Sequence, residues 1–227
     1  MKSRRFVLIP GAGGVGWYWS RVAGGLIDAG QDAVSVDLPG DDDGAGLAEY
    51  RDIVLGQAGD GDVIVAQSLG GFTAGAVCER ITPSALVFVN AMIPAPGETA
   101  GEWWGNVGSA EARIAAADAK GYSREFDMET YFLHDVAPEI TLEGEPYQRG
   151  ESDRIFGDPC PFSAWPEAPI HVLTGADDRF FPIALQQRIA RERLGVEADI
   201  VRGGHLVALS NPGAVVDYLL EVESVGE

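Results

Sequence analysis

Three stretches of the chain are apolar at every position: Phe6-Val7-Leu8-Ile9, Val63-Ile64-Val65-Ala66 and Ala85-Leu86-Val87-Phe88-Val89. Runs this short, without polar alternation, are what parallel strands covered on both faces require. Three weaker runs, Ala33 to Asp37, Pro169 to Thr174 and Ala198 to Val201, bring the predicted strands to six. Helical spacing fills the intervals over Trp17 to Ala29, Leu47 to Ala58, Gly70 to Ile81, Pro182 to Leu194 and Gly213 to Glu221. Pro182 suits a first helical turn, where its missing N–H is not needed. Strands alternating with single helices imply βαβ units, and hence a doubly wound, mostly parallel six-stranded α/β sheet.

That rhythm breaks between Met92 and Trp165, where prolines, glycines and aromatics replace the apolar runs. The break predicts a core made of residues 1–91 and 166–227 with a cap, 92–165, inserted into it. Within the cap, Ser109 to Lys120 and Met128 to His134 read as helices. Its aromatics, Trp103, Trp104, Phe126, Tyr131, Phe132 and Phe156, either line an apolar pocket or anchor the insertion. Trp103, Trp104 and Phe132 are the candidates for contact with a substrate.

A length of 227 residues is enough to bury a core without disulfides or metals. The apolar fraction of 46% and charged fraction of 22% are those of an ordinary globular chain, and no apolar run is long enough to span a bilayer. The basic start, Met1 to Arg5, is followed by an apolar run that stops at Pro10, too short for a signal peptide. A net charge of −19 argues against nucleic acid and anionic membrane as partners. Cys78 and Cys160 lack metal-ligand spacing and read as free thiols, which points to the cytoplasm. Asp41-Asp42-Asp43 reads as a solvated loop, and neither a metal nor a cofactor is expected.

The chemistry begins at Gln67-Ser68-Leu69-Gly70-Gly71, directly after the third strand. A strand that turns at once into a helix requires small residues two before and two after the turning position, here Ala66 and Gly70. Such an elbow exposes the Ser68 hydroxyl and aims the N–H of Leu69 at whatever Ser68 attacks. Gly11-Ala12-Gly13-Gly14-Val15-Gly16, after the first strand, has two readings. It matches a dinucleotide-binding G-x-G-x-x-G, with Asp37 placed as the ribose acid. In an acyl-transfer site the same loop supplies a second oxyanion donor, for which the N–H of Ala12 is the candidate. The C-terminal half favours the second reading. A serine nucleophile needs a base, and the base needs a carboxylate. Of three histidines, His171 lies inside a strand and His134 in the insertion, where it has a chance of touching substrate. His205 follows two glycines at the carboxyl edge of the sheet. Asp177 and Asp178, after the fifth strand, compete for the role of acid.

Taken together, Asp37-Leu38-Pro39-Gly40, Gln67 to Gly71, Gly175 to Pro182 and Gly204-His205 resemble the α/β-hydrolase fold family over nearly the whole chain, without its first two strands. The Ile9 to Trp17 loop and Asn90-Ala91-Met92-Ile93-Pro94 are similar to its plant methylesterase and hydroxynitrile lyase branch. The resemblance implies a Ser68–His205–Asp178 triad, with Asp178 chosen by the family's G-x-x-D-x-x-x-P spacing. It also implies hydrolysis of small, fairly apolar carboxylic esters, with Ala12 and Leu69 holding the oxyanion. A ligand-binding or lyase member of the fold is the alternative. The lyases carry a lysine after the histidine where this chain has Leu206, and Pro10 replaces the family's histidine before the oxyanion loop.

Overall fold

The computed structural model describes residues 3–222; Met1 and Lys2 of the basic start lie outside them, as do residues 223–227. Six strands, β1 Arg5–Ile9, β2 Asp32–Ser35, β3 Val63–Gln67, β4 Ala85–Val89, β5 Ile170–Gly175 and β6 Asp199–Val201, form one sheet in the order 2-1-3-4-5-6. Every neighbouring pair is parallel. The expected doubly wound architecture is therefore the one observed. Every residue of β3 and β4 is buried, which is why their apolar runs show no polar alternation.

Successive side chains of a strand leave by opposite faces. Val63 and Val65 join the layer containing α1 (Ser20–Asp28) and α10 (Pro212–Glu221), through Val22, Leu26, Val215 and Leu219. Ile64 and Ala66 join the opposite layer, packed with Tyr50 of α2 (Leu47–Leu55), Phe72 of α3 (Gly70–Cys78) and Ile189 of α8 (Ile183–Leu194). Each large side chain so buried contributes about 1.5–3 kcal/mol. Arg4 closes the last helix, its guanidinium donating to the carbonyls of Leu220 (2.6 Å) and Val222 (2.8 Å), which have no partner within the helix.

The order 2-1-3 places the carboxyl ends of β1 and β3 side by side, although the chain leaves them in opposite directions. Open α/β sheets bind ligands at such a switch point. Here the loop after β1 and the turn after β3 meet there.

Residues 92–165 contain α4 (Ala100–Asn106), α5 (Ser109–Lys120), α6 (Pro138–Gly144) and α7 (Arg154–Gly157). α5 has the predicted limits, set between Gly108 and Gly121, both at positive φ. Met128 to His134 forms only a π-helical turn over Glu129–Leu133. α4, α6 and α7 are too short to show a helical period, yet α4 carries a readable start signal: Thr99 accepts from the Glu102 N–H (3.1 Å) and Glu102 from the Thr99 N–H (3.0 Å). The segment predicted as one helix from Trp17 begins with a 3-10 turn, Gly16–Trp19, and α9 (Val207–Ser210) is an unpredicted short helix after His205. Cys78 and Cys160 are free thiols, and burial pushes Cys78 up to about 12. Among the described residues no helix is long and apolar enough to cross a membrane.

Candidate active site

Ser68 sits at φ +50°, a left-handed conformation unusual for a non-glycine residue and stored where the structure over-determines it. The constraint is steric. A Cβ on Gly70 would lie 2.5 Å from the Pro10 carbonyl oxygen, and one on Gly71 would overlap the carbonyl oxygen of Met92. The Ser68 carbonyl is held by the N–H groups of Gly71 (3.1 Å) and Met92 (2.9 Å). The elbow is thus clamped between β1 and the end of β4. Leu69 is the N-cap of α3, so its N–H points out of the positive end of a helix.

His205 lies in the loop between β6 and α9 with no exposed surface. Its Nε2 is 3.1 Å from Ser68 Oγ and its Nδ1 2.9 Å from Asp178 Oδ2. Asp178, in the turn after β5, also accepts from the N–H groups of Phe180 and Phe181 at Oδ1, 2.8 Å each, and from Gln186 Nε2 at Oδ2, 3.2 Å. The neighbouring Asp177 lines a separate recess with Tyr122, His134 and Arg202. Rings of Phe132, Phe180 and Phe181 stand edge-on around the imidazole, with centroids 4.8, 5.2 and 5.0 Å away. With these rings around it the imidazole is shut off from water.

Two residues to which the sequence reading assigns no role in the site hold this arrangement. Asn90, at φ +46° after β4, donates through Nδ2 to the carbonyls of Gly204 (2.9 Å) and His205 (3.1 Å) and accepts at Oδ1 from the Gly175 N–H (2.7 Å). It joins the ends of β4 and β5 to the histidine loop. Gln186, in α8, reaches both Asp178 and the Phe181 carbonyl (2.7 Å). The available signals are a polar residue closing the apolar run of β4, and a glutamine among the buried positions of α8.

Above Ser68 opens a cavity of about 580 Å³, lined chiefly by apolar side chains that include Trp17, Tyr18, Trp104, Phe132, Phe180 and Leu209. Trp104 and Phe132, two of the three predicted contact residues, are in its wall. Trp103 is not: it is fully buried, its indole N–H donating to the Ile93 carbonyl (3.1 Å), and its ring packs behind Trp104 and Phe181. Its helix turns that face into the core. Phe156 lines the cavity, whereas Tyr131 is a core residue and Phe126 is half exposed. His134 lies outside the cavity wall, against Gly204, and burial followed by the nearby Arg179 charge lowers its pKa. His171 lies on β5, away from the cavity.

The glycine loop runs directly over the elbow. A Cβ on Gly11 would come within 2.7 Å of Ser68 Cβ, and one on Gly14 would overlap the Leu38 carbonyl. Asp37, the acid that a ribose would need, accepts from the Gly16 N–H (2.9 Å) and from Arg149 (2.8 Å). Ala12 is exposed and, like Leu69, lines the cavity. Among the described residues no group of three or more His, Cys, Asp or Glu side chains is placed to hold a metal ion.

A family model described as the alpha/beta hydrolase family matches residues 6–218. No curated protein matches the chain. Similar solved structures include polyneuridine aldehyde esterase, with a TM-score of 0.76 and 18% identity over 97% of this chain and 99% of that one. A pyrethroid hydrolase from Sphingobium faniae JZ-2 has a TM-score of 0.74 and 20% identity over 97% of both chains. A methylesterase from Arabidopsis has a TM-score of 0.73 and 19% identity over 96% of this chain and 97% of its own. At these identities the likeness is one of fold.

Proposed function

The chain belongs to the alpha/beta hydrolase family, and from that premise we propose that it is a serine esterase cleaving small, fairly apolar carboxylic esters through an acyl-enzyme. The observation that carries this reading is the hydrogen-bonded line Ser68 Oγ, His205 Nε2, His205 Nδ1, Asp178 Oδ2, opening onto an apolar cavity. Esterases among the structures of the same fold support it.

In this reading the Ser68 oxygen attacks the ester carbonyl while its proton passes to His205 Nε2. Asp178 keeps the Nδ1–H tautomer and stabilises the imidazolium. The carbonyl oxygen, now an anion, is received by the N–H groups of Leu69 and Ala12, and loss of one such donor costs about 100- to 1,000-fold in rate. The carbon–oxygen bond to the alcohol then breaks, and the imidazolium protonates the departing alkoxide. Water enters, gives a proton to His205 and attacks the acyl carbon, and Ser68 recovers its hydrogen as the acid leaves. The apolar wall takes up the substrate's hydrocarbon. The free thiols suit a reducing compartment, the cytoplasm.

The test is p-nitrophenol release from acetate to octanoate esters by the wild type and by Ser68→Ala. Turnover that disappears in the variant is the expected result, and the preferred chain length measures the cavity. A folded wild type without turnover would sink the esterase reading and favour a ligand-binding member of the fold.

A further inference from the structure

The loop that carries Ala12 has little to hold itself with. Three of its four residues from Gly11 to Gly14 are glycines, and Gly13 and Gly14 have φ values of +84° and +66°. An N–H aimed at an oxyanion must be fixed before the reaction, because reorientation during it forfeits the benefit. The Gly14 N–H donates to the Gly11 carbonyl (3.0 Å), closing a turn. The peptide between Gly11 and Ala12 is planar and trans, so its carbonyl points into that turn and the Ala12 N–H points the opposite way.

Side chains from the insertion grip the next residue on both sides. Glu151 Oε2 accepts from the Gly13 N–H (2.7 Å), and Arg149 donates through Nε to the Gly13 carbonyl (3.2 Å) and through Nη2 to the Gly14 carbonyl (3.1 Å). The second Glu151 oxygen accepts from the Tyr50 hydroxyl (2.6 Å), and Tyr50 is a core residue of α2. Arg149 also meets Asp37, and the Ser152 N–H donates to the Gly40 carbonyl (2.7 Å).

We propose that Glu151, anchored by Tyr50 and assisted by Arg149, is a positioning residue that holds the β1 loop so that the Ala12 N–H faces the Ser68 reaction centre. Glu151 stands in the wall of the cavity, and its hydrogen bonds run to Gly13 and Tyr50, not to the triad. Its effect passes from the Ala12–Gly13 peptide, whose N–H it grips, to the adjoining Gly11–Ala12 peptide, which carries the Ala12 N–H. The inference rests on the esterase reading and adds to it a job for the insertion beyond covering the cavity.

The decisive comparison is Glu151→Ala against Glu151→Gln, with kcat and KM for p-nitrophenyl butyrate and the inhibition constant of a trifluoromethyl ketone, whose adduct with Ser68 bears an oxyanion. The glutamine carbonyl can accept from Gly13 while its amide donates to the Tyr50 oxygen, so the grip survives without the charge. Glu151→Ala is expected to lower kcat by about 30-fold, less than the roughly 100- to 1,000-fold cost of deleting an oxyanion donor, because the Ala12 N–H is loosened and not removed. KM should stay within about threefold, the ketone should weaken in parallel with kcat, and Glu151→Gln should recover most of the loss. Tyr50→Phe, which keeps the core volume and removes only the anchoring hydroxyl, should lower kcat in the same sense and guards against a Glu151→Ala variant that does not fold. Wild-type kcat in Glu151→Ala or Tyr50→Phe, or equal losses in Glu151→Ala and Glu151→Gln, would overturn the clamp while leaving the esterase standing. A wild type with no Ser68-dependent turnover would overturn both.

Discussion

Asn90→Ala removes a fully buried amide that serves the ends of β4 and β5 and the loop of His205. The Gly175 N–H and the Gly204 carbonyl lose the partners shown for them, whereas the His205 carbonyl keeps a long bond from Gln67 (3.4 Å). Two buried groups left unpaired cost about 1–3 kcal/mol each. The backbone adds to this, because alanine must hold φ +46°, where an L-residue other than Asn, Asp or Gly is disfavoured by roughly 1–2 kcal/mol. The sum is about 5 kcal/mol, enough to lower Tm by about 10–20 °C in a domain of this size. Urea unfolding followed by tryptophan fluorescence measures it, with Asn90→Gly as the control that removes the same amide but relieves the backbone. Glycine should recover about 1 kcal/mol relative to alanine. A loss below about 1 kcal/mol in Asn90→Ala, with an unchanged m-value, would refute the network. Glycine no more stable than alanine would refute the backbone part alone.

Asp178→Asn should lower kcat by about 10⁴-fold, because an amide offers no preference for the Nδ1–H tautomer and no charge to balance the imidazolium; steady-state kinetics showing less than a tenfold loss would remove Asp178 from the mechanism. Away from the site, Glu98 meets the Arg193 guanidinium (2.9 Å), Asn106 (2.7 Å) and the Ala95 N–H (3.0 Å). Burial raises the Glu98 pKa, but these donors outweigh it and hold the carboxyl below its ordinary value. The ionised pair therefore contributes fully above the unfolded-state value of about 4.3 and its contribution is lost as pH falls through the lower folded-state value. Glu98→Gln should cost about 3 kcal/mol at pH 7 by leaving Arg193 without its carboxylate. It should also flatten the acid limb of stability against pH, and an acid limb identical to wild type would contradict that assignment.

What the sequence determines by itself is local and repetitive. Apolar runs such as Phe6 to Ile9 and Ala85 to Val89 can satisfy their burial only as central strands, so the parallel sheet is legible from their spacing with the helices. Gly70 and Gly71 after Ser68 announce a turn too tight for side chains; Ser68 and His205 stand out as reacting groups by their context, and the resemblance to a family spacing picks Asp178 over Asp177. Helices of four to seven residues leave no period to read, which is why α4, α6 and α7 go unpredicted. The choice between one face of a short helix and the other is equally invisible, so that Trp103 and Trp104, adjacent in sequence, divide between core and cavity. Only the tertiary structure brings Asn90, Gly175 and Gly204 within hydrogen-bond reach, or sets Glu151 against Gly13 across 138 residues. Those contacts depend on where chain segments far apart in sequence cross at the carboxyl edge of the sheet. A single polar residue in a loop carries no periodic signal of what it will meet there.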